Sequence, residues 1–183
     1  MAGVGTAAPF AALVVVESMF GNTRAVADAV AAGLSAHVPT QVVDVADAPP
    51  SPGSEVGLLV VGGPTHAFSL SRTTTRKDAV SRGAMQAGST TIGLREWLDN
   101  LAGVAADVHV AAFDTKIRKP RVPGSAAHAA ARKLRRRGAR VDVHPETFYV
   151  VDTGGPLESG ERERAQAWGA RLADLLRDAP VTS

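Results

Sequence analysis

The segment Glu17-Ser18-Met19-Phe20-Gly21-Asn22-Thr23 sets two hydroxyls, a glycine and an amide between an apolar β-branched run, residues 13–16, and a stretch with helical periodicity. A turn of this kind delivers backbone N–H groups without intrahelical acceptors to a helix start, where the helix dipole adds partial positive charge. A phosphate is well accommodated there. Ser18 and Thr23 supply hydroxyl donors, Gly21 allows positive φ or a close backbone approach, and Asn22 suits the helix cap.

Two further loops carry reactive side chains. Gly62-Gly63-Pro64-Thr65-His66-Ala67-Phe68-Ser69 follows a third apolar run, and Asp114-Thr115-Lys116 follows a fourth that ends at Phe113. In a parallel sheet both loops open on the carboxyl edge, where ligands bind. His66 and Phe68 put two aromatic side chains in the first of these loops. Ser18, His66 and Asp114 also stand at three strand ends, from which a serine hydrolase could be assembled, but no Gly-x-Ser-x-Gly elbow surrounds Ser18. Asp44 would be the ribose acid of a dinucleotide site, yet no Gly-x-Gly-x-x-Gly precedes it. A phosphoacceptor receiver would need an aspartate where the third run ends in Gly62-Gly63. The chain has no cysteine, which excludes disulfides, thiolate metal sites, Fe–S clusters and cysteine nucleophiles. No metal site is expected, and any redox chemistry must come from a bound organic cofactor.

The elements that must position these residues alternate in type. Short apolar runs at 13–16, 41–45, 56–61, 108–113 and 140–143, the last continued at 148–151, read as strands of a parallel sheet covered on both faces. Val26, Ala29, Val30, Gly33 and Leu34 fall on one stripe of a helix over 22–36. Trp97, Leu98 and Leu101 mark a short helix near 94–101, stopped by Gly103, and Ala127, Ala130, Ala131 and Leu134 mark another ending at Gly138. Ala165, Trp168, Leu172 and Leu175 mark a last helix over 158–177. The expected architecture is α/β, a doubly wound five-stranded parallel sheet. With 183 residues, 45% of them hydrophobic, one domain over 1–183 can bury a full core, with an ordered part of about 11–177 and loose tails at 1–9 and 178–183. Residues 62–92 show little periodicity and form an unusually long connection, the length expected of a functional loop. Gly154-Gly155-Pro156 reads as a plain turn.

A net charge of +2 conceals uneven basic stretches at 72–82, at Lys116-Ile117-Arg118-Lys119-Pro120-Arg121 and at Arg132-Lys133-Leu134-Arg135-Arg136-Arg137. They read as solvated faces, and Arg135, Arg136 and Arg137 suit the last turn of a helix. Nucleic acid is not required. No apolar run is long enough to cross a bilayer and no Lys or Arg precedes Arg24, so a soluble cytoplasmic protein without a signal peptide is expected.

Ser18-Met19-Phe20-Gly21-Asn22-Thr23 resembles the phosphate loop of the flavodoxin family, Ser/Thr-x-Ser/Thr-Gly-x-Thr after the first strand, with Phe20 replacing a hydroxyl. Gly-Pro-Thr-His after the third strand and Phe113-Asp114-Thr115 after the fourth extend the resemblance over about residues 12–176. It implies strand order 2-1-3-4-5 and an FMN whose isoalloxazine lies between residues 64–68 and 114–116, with His66 and Phe68 as the candidates to stack on or edge the ring, His66 as the candidate to protonate or steer a flavin or substrate position, and backbone groups of Thr65 and Thr115 at the pyrimidine edge. The implied function is an FMN-dependent redox protein, an electron carrier or an NAD(P)H-linked reductase of a quinone or other small acceptor. The other implied reading is a module of this fold that has lost FMN and acts as an interaction domain. Flavodoxins that shuttle electrons are typically acidic, whereas the sequence pI here is about 9.4. Cations of the 116–121 loop at the ring would stabilise the reduced anionic flavin, which suits an anionic donor, NAD(P)H or an acidic redox partner.

Overall fold

The computed structural model of the chain describes residues 11–66, 68–84, 92–120 and 123–177. In chain order the elements are β1 (Ala11–Val16), α1 (Asn22–Ser35), β2 (Thr40–Asp44), β3 (Val56–Pro64), α2 (Thr73–Ser81), α3 (Leu94–Asn100), β4 (His109–Ile117), α4 (Ala126–Arg136), β5 (Glu146–Val150) and α5 (Glu161–Arg177). The five strands form one sheet in the order β2-β1-β3-β4-β5, with every neighbouring pair parallel. This is the doubly wound order that the resemblance implied.

The sheet is buried on both sides, which is why β1, β3 and β4 are nearly continuous in apolar residues. Successive strand residues face opposite cores. One core joins Leu59, Val61, Val110 and Ala112 to Leu94, Trp97, Leu98 and Leu134 of α3 and α4. The other joins Val14, Val60 and Phe113 to Val30 of α1 and Trp168 of α5. There Phe113, Phe148 and Trp168 meet edge to face, with centroids 6.0 to 6.1 Å apart. Gly62 of β3 leaves the room for this cluster, since a Cβ on it would lie 2.0 Å from the Phe113 ring. Helices α1 and α5 approach backbone to backbone: a Cβ on Gly33 would lie 2.0 Å from Gln166 O, and one on Gly169 2.1 Å from Val30 O.

Three expectations about elements need correction. The 62–92 connection is not structureless, because β3 runs on to Pro64 and α2 occupies 73–81. Only Arg76 and Ala79 of α2 are buried, so the helix has no apolar stripe for a sequence pattern to reveal. The fourth strand continues through Asp114, Thr115 and Lys116, which pair with Thr147, Phe148 and Tyr149 of β5. Finally, residues 140–143 are not strand. Arg140 makes an isolated bridge to His109, and β5 begins after Pro145, which lacks an N–H for the ladder. The tails expected to be loose, and Ala67 and Arg121, lie outside the described residues.

Candidate functional site

A cleft of about 310 Å³ opens at the carboxyl edge, where the chain leaves β1, β3 and β4. Met19, Phe20, Asn22 and Thr23 line it from the first loop, Pro64, Thr65 and His66 from the end of β3, and Thr115, Lys116 and Ile117 from β4. The first loop is held tightly. Met19 and Ser18 are buried, and Ser18 Oγ accepts the N–H of Arg24 at 3.2 Å, which leaves its own proton to donate. Gly21 is the N-cap of α1 at φ +86°, a conformation that glycine adopts without strain. Gly21 has no side chain to cap the helix and the first turn carries no acid, so beyond Arg24 N, held by Ser18 Oγ, the N–H groups of Asn22 and Thr23 have no acceptor among the described residues and no charge opposes the dipole. A Cβ on Gly21 would meet nothing within 4 Å. The loop is therefore an open cradle of amides at a helix start, a fit for a phosphate group.

Thr23 does not project into that cradle. Its Oγ1 is hydrogen-bonded to Thr115 Oγ1 at 2.8 Å, a buried tie between α1 and β4. Asn22 is positioned from the far end of the chain: a Cβ on Gly155, at φ +94°, would lie 2.4 Å from Asn22 Oδ1. The 154–156 segment thus abuts the loop, and only a residue without a side chain fits there.

Asp114 and Thr115, adjacent in β4, face opposite sides of the sheet. Asp114 is fully buried on the α4 side. Its Oδ2 accepts from Thr65 Oγ1 at 2.8 Å, Ser125 Oγ at 2.6 Å and Ala127 N at 3.1 Å, while Oδ1 has no partner among the described residues. Thr65 Oγ1 in turn accepts the N–H of Ala126 at 2.9 Å. Asp114 is thus a clamp between the end of β3 and the start of α4, and its carboxylate does not line the cleft. Nor does it orient His66, so the serine–histidine–aspartate arrangement is not assembled. The backbone groups expected at a pyrimidine edge serve each other instead, Thr65 N donating to Thr115 O at 3.0 Å.

Beyond Thr65 the chain folds into a tight turn in which His66 N donates to Ser69 O and Ser69 N to His66 O, at 2.9 and 3.0 Å. Phe68 in this turn sits at φ +72° and is 56% exposed, so it is not a core residue. The turn rests on Gly124, where a Cβ would lie 2.0 Å from Phe68 O. His66 lines the cleft half-buried. Burial pushes its pKa below the ordinary histidine value, with Asp78 opposing and Arg76 reinforcing the shift, so it faces the cleft as a neutral imidazole near pH 7.

The far wall of the cleft is α2, through Thr75, Asp78, Ala79 and Arg82, with Val150 and Thr153 closing another side. None of these six was legible as a site residue: Thr75, Asp78, Ala79 and Arg82 because α2 itself was not, and Val150 and Thr153 because they come from the end of β5, which no local pattern ties to the other loops. A buried polar network anchors this wall. Ser71 Oγ donates to Glu17 Oε1 at 2.5 Å, Leu94 N to Glu17 Oε2 at 2.7 Å, and Arg76 Nη1 to Ser71 Oγ at 2.8 Å. Arg76 also pairs with Glu96 at 3.0 Å, and Gly93 leaves the room, since a Cβ there would lie 2.3 Å from Arg76 Nη1. Burial raises the Glu17 pKa above the ordinary glutamate value against the lowering pull of Ser71, Leu94 N and Arg76. The 72–82 stretch is therefore only partly a solvated face. Within the 116–121 loop, Lys116 borders the cleft, whereas Arg118 is paired with Glu158 at 2.7 Å and stacked over Tyr149, 4.0 Å from its centroid.

Among the described residues no group of three or more His, Asp or Glu side chains is placed to hold a metal, and no helix is long and apolar enough to cross a membrane. No family model and no curated protein matches the sequence. Solved structures do. The chain is similar to oxidised flavodoxin 1 from Bacillus cereus at 18% identity and TM-score 0.64, over 93% of this chain and 99% of that one. It is similar to a flavodoxin from Streptococcus pneumoniae TIGR4 at 18% identity and TM-score 0.63, over 90% and 98% of the two chains. A flavodoxin from the domain Archaea aligns at 20% identity and TM-score 0.60, over 92% and 99%. The fold is flavodoxin-like.

Proposed function

We propose that the carboxyl-edge cleft binds FMN and that the protein is a flavin redox protein, carrying electrons or reducing a quinone or other small acceptor at the expense of NAD(P)H. The observation that carries this reading is the acid-free start of α1 at Gly21, with the N–H groups of Asn22 and Thr23 without an acceptor among the described residues and open space at the glycine, beside a cleft lined by His66 and Lys116. In this reading the N–H groups of residues 19–23 and the Ser18 hydroxyl hold the phosphate. His66 edges the ring as a neutral hydrogen-bonding group, and Lys116 supplies positive charge at the cleft wall. The bound flavin would supply one- and two-electron chemistry, and the chain supplies binding, orientation and electrostatics. Of the basic loop, Lys116 carries the electrostatic role, because Arg118 is neutralised by Glu158.

Titration separates the phosphate claim from the ring claim. Free FMN fluorescence should be quenched on binding, and FMN should bind at least about tenfold more tightly than riboflavin, about 1.4 kcal/mol. Equal affinity for the two would remove the phosphate cradle, and no quenching of either would remove the flavin. The last outcome would favour a module acting by interaction, a reading supported by Phe20 standing where the motif has a hydroxyl.

A further inference from the structure

A second groove of about 340 Å³ lies between the 66–69 turn and the first turns of α4, and it shares Lys116 with the cleft. Its walls are Phe68, Ser69, Lys116, Ser125, His128 and Arg132, closed at the floor by Gly124. No acid lines it. Lys116 Nζ donates only to a neutral carbonyl, Gly124 O, at 3.2 Å, and the exposed Arg132 has no acidic partner among the described residues. This distinguishes Arg132 from Lys133 on the same helix, which is paired with Asp99. The buried Asp114 carboxylate lies behind the wall, accepting from Ser125 Oγ at 2.6 Å, but the lining itself presents Lys116 and Arg132, and an anion entering the groove displaces no carboxylate. Phe68 forms the opposite wall. Its backbone is held in a conformation that L-residues disfavour, and its ring is held out in water, two unfavourable features that the paired hydrogen bonds of the turn and the Gly124 contact enforce. A bulky side chain kept in this way presents an aromatic face beside a pair of cations.

We infer that this groove is a binding site for a small planar aromatic anion, its ring against Phe68 and its anionic group on Lys116 and Arg132. Two sources share that chemistry, a phosphorylated nicotinamide nucleotide and an acid-substituted quinone. The site stands on its own side chains. Its use as the place where a reactant meets a flavin rests on the function proposed above, through the shared Lys116.

The test uses flavin-free full-length protein and equilibrium dialysis with an anthraquinone monosulfonate, the neutral hydroxymethyl anthraquinone, NADP+ and NAD+. The sulfonate should bind more tightly than its neutral analogue, with affinity falling as salt rises. Arg132→Glu, an exposed substitution outside the cleft, should weaken the sulfonate by about tenfold or more while leaving FMN titration unchanged, and Phe68→Ala should weaken it as well. If NADP+ binds and exceeds NAD+ with the same sensitivity to Arg132→Glu, the nucleotide is the source; if only the sulfonate behaves so, the acidic quinone is. Equal binding of charged and neutral rings, or binding indifferent to Arg132→Glu and Phe68→Ala, would overturn the site. Failure of FMN to bind, with the sulfonate still bound in this pattern, would refute the flavin and leave the groove.

Discussion

Gly21→Ala separates the conformational role of the cradle glycine from its role as vacant space. At φ +86° an alanine pays a left-handed penalty of about 1–2 kcal/mol, partly offset by the roughly 0.4–1 kcal/mol that alanine gains by restricting the unfolded chain. No clash adds to this, because nothing lies within 4 Å of the new methyl. The net loss of stability should be about 0.5–1 kcal/mol, a fall in Tm of roughly 1–4 °C for a chain of this length. Gly138→Ala is the matched control: its φ is +81°, its Cβ site is equally open, and it follows α4 rather than bordering the cleft. Both variants should unfold at nearly the same urea concentration. On the proposed site their FMN titrations should differ, since only the methyl at residue 21 would enter the phosphate cradle, and a loss of at least about tenfold, 1.4 kcal/mol, is expected for Gly21→Ala alone. If the two variants bind FMN alike, the phosphate does not sit in the cradle. If Gly21→Ala is far less stable than Gly138→Ala, the openness at residue 21 has been misread.

Asp114→Asn should cost about 1–3 kcal/mol in urea unfolding, because an amide nitrogen then occupies the buried, partnerless Oδ1 position. Asp114→Ala should cost more, by orphaning Thr65, Ser125 and Ala127 N together, and FMN affinity at a temperature where Asp114→Asn is folded should be unchanged. Glu17 has a raised folded pKa, so its contribution to stability is full below the ordinary value of 4.5 and is lost as pH rises through the folded value. Wild type should therefore lose stability relative to Glu17→Gln as pH rises across that window, and a gain relative to that variant would show that the fold prefers the ionised carboxylate. With FMN bound, Lys116→Glu should lower the flavin potential measured by dye-coupled titration, whereas Lys119→Glu, exposed and outside the cleft lining, should leave it nearly unchanged.

Burial determined what the sequence disclosed. Helices α1, α4 and α5 press a stripe of Val, Ala, Leu or Trp against the sheet and were legible to within a few residues, as was the strand alternation of a sheet covered on both faces. Helix α2 was hidden because its inward residue is Arg76, held by Ser71 and Glu96 and not by apolar packing, and a buried arginine leaves no hydrophobic period. Asp114-Thr115-Lys116 looks like loop chemistry because three polar side chains follow an apolar run. Within β4 they find polar partners on both faces, Asp114 at the start of α4 and Thr115 at Thr23, so the strand continues. The 18–23 loop was singled out from its own residues. The contact that sets Asn22, through Gly155, spans 133 positions, the difference between those two numbers, and no local pattern carries it.

The glycine crossing of α1 and α5 gives the C-terminal helix a duty toward the opposite end of the chain. Because Gly33 and Gly169 let the two backbones interlock, α5 cannot slide along α1 without carbonyl oxygens colliding with α-carbons. It acts as a splint along the element whose first residues form the cradle. The contacts fall at Val30 and Gly33, so a cut ahead of Glu161 would release the C-terminal half of α1 from its partner while leaving every residue of the 18–23 loop in the chain.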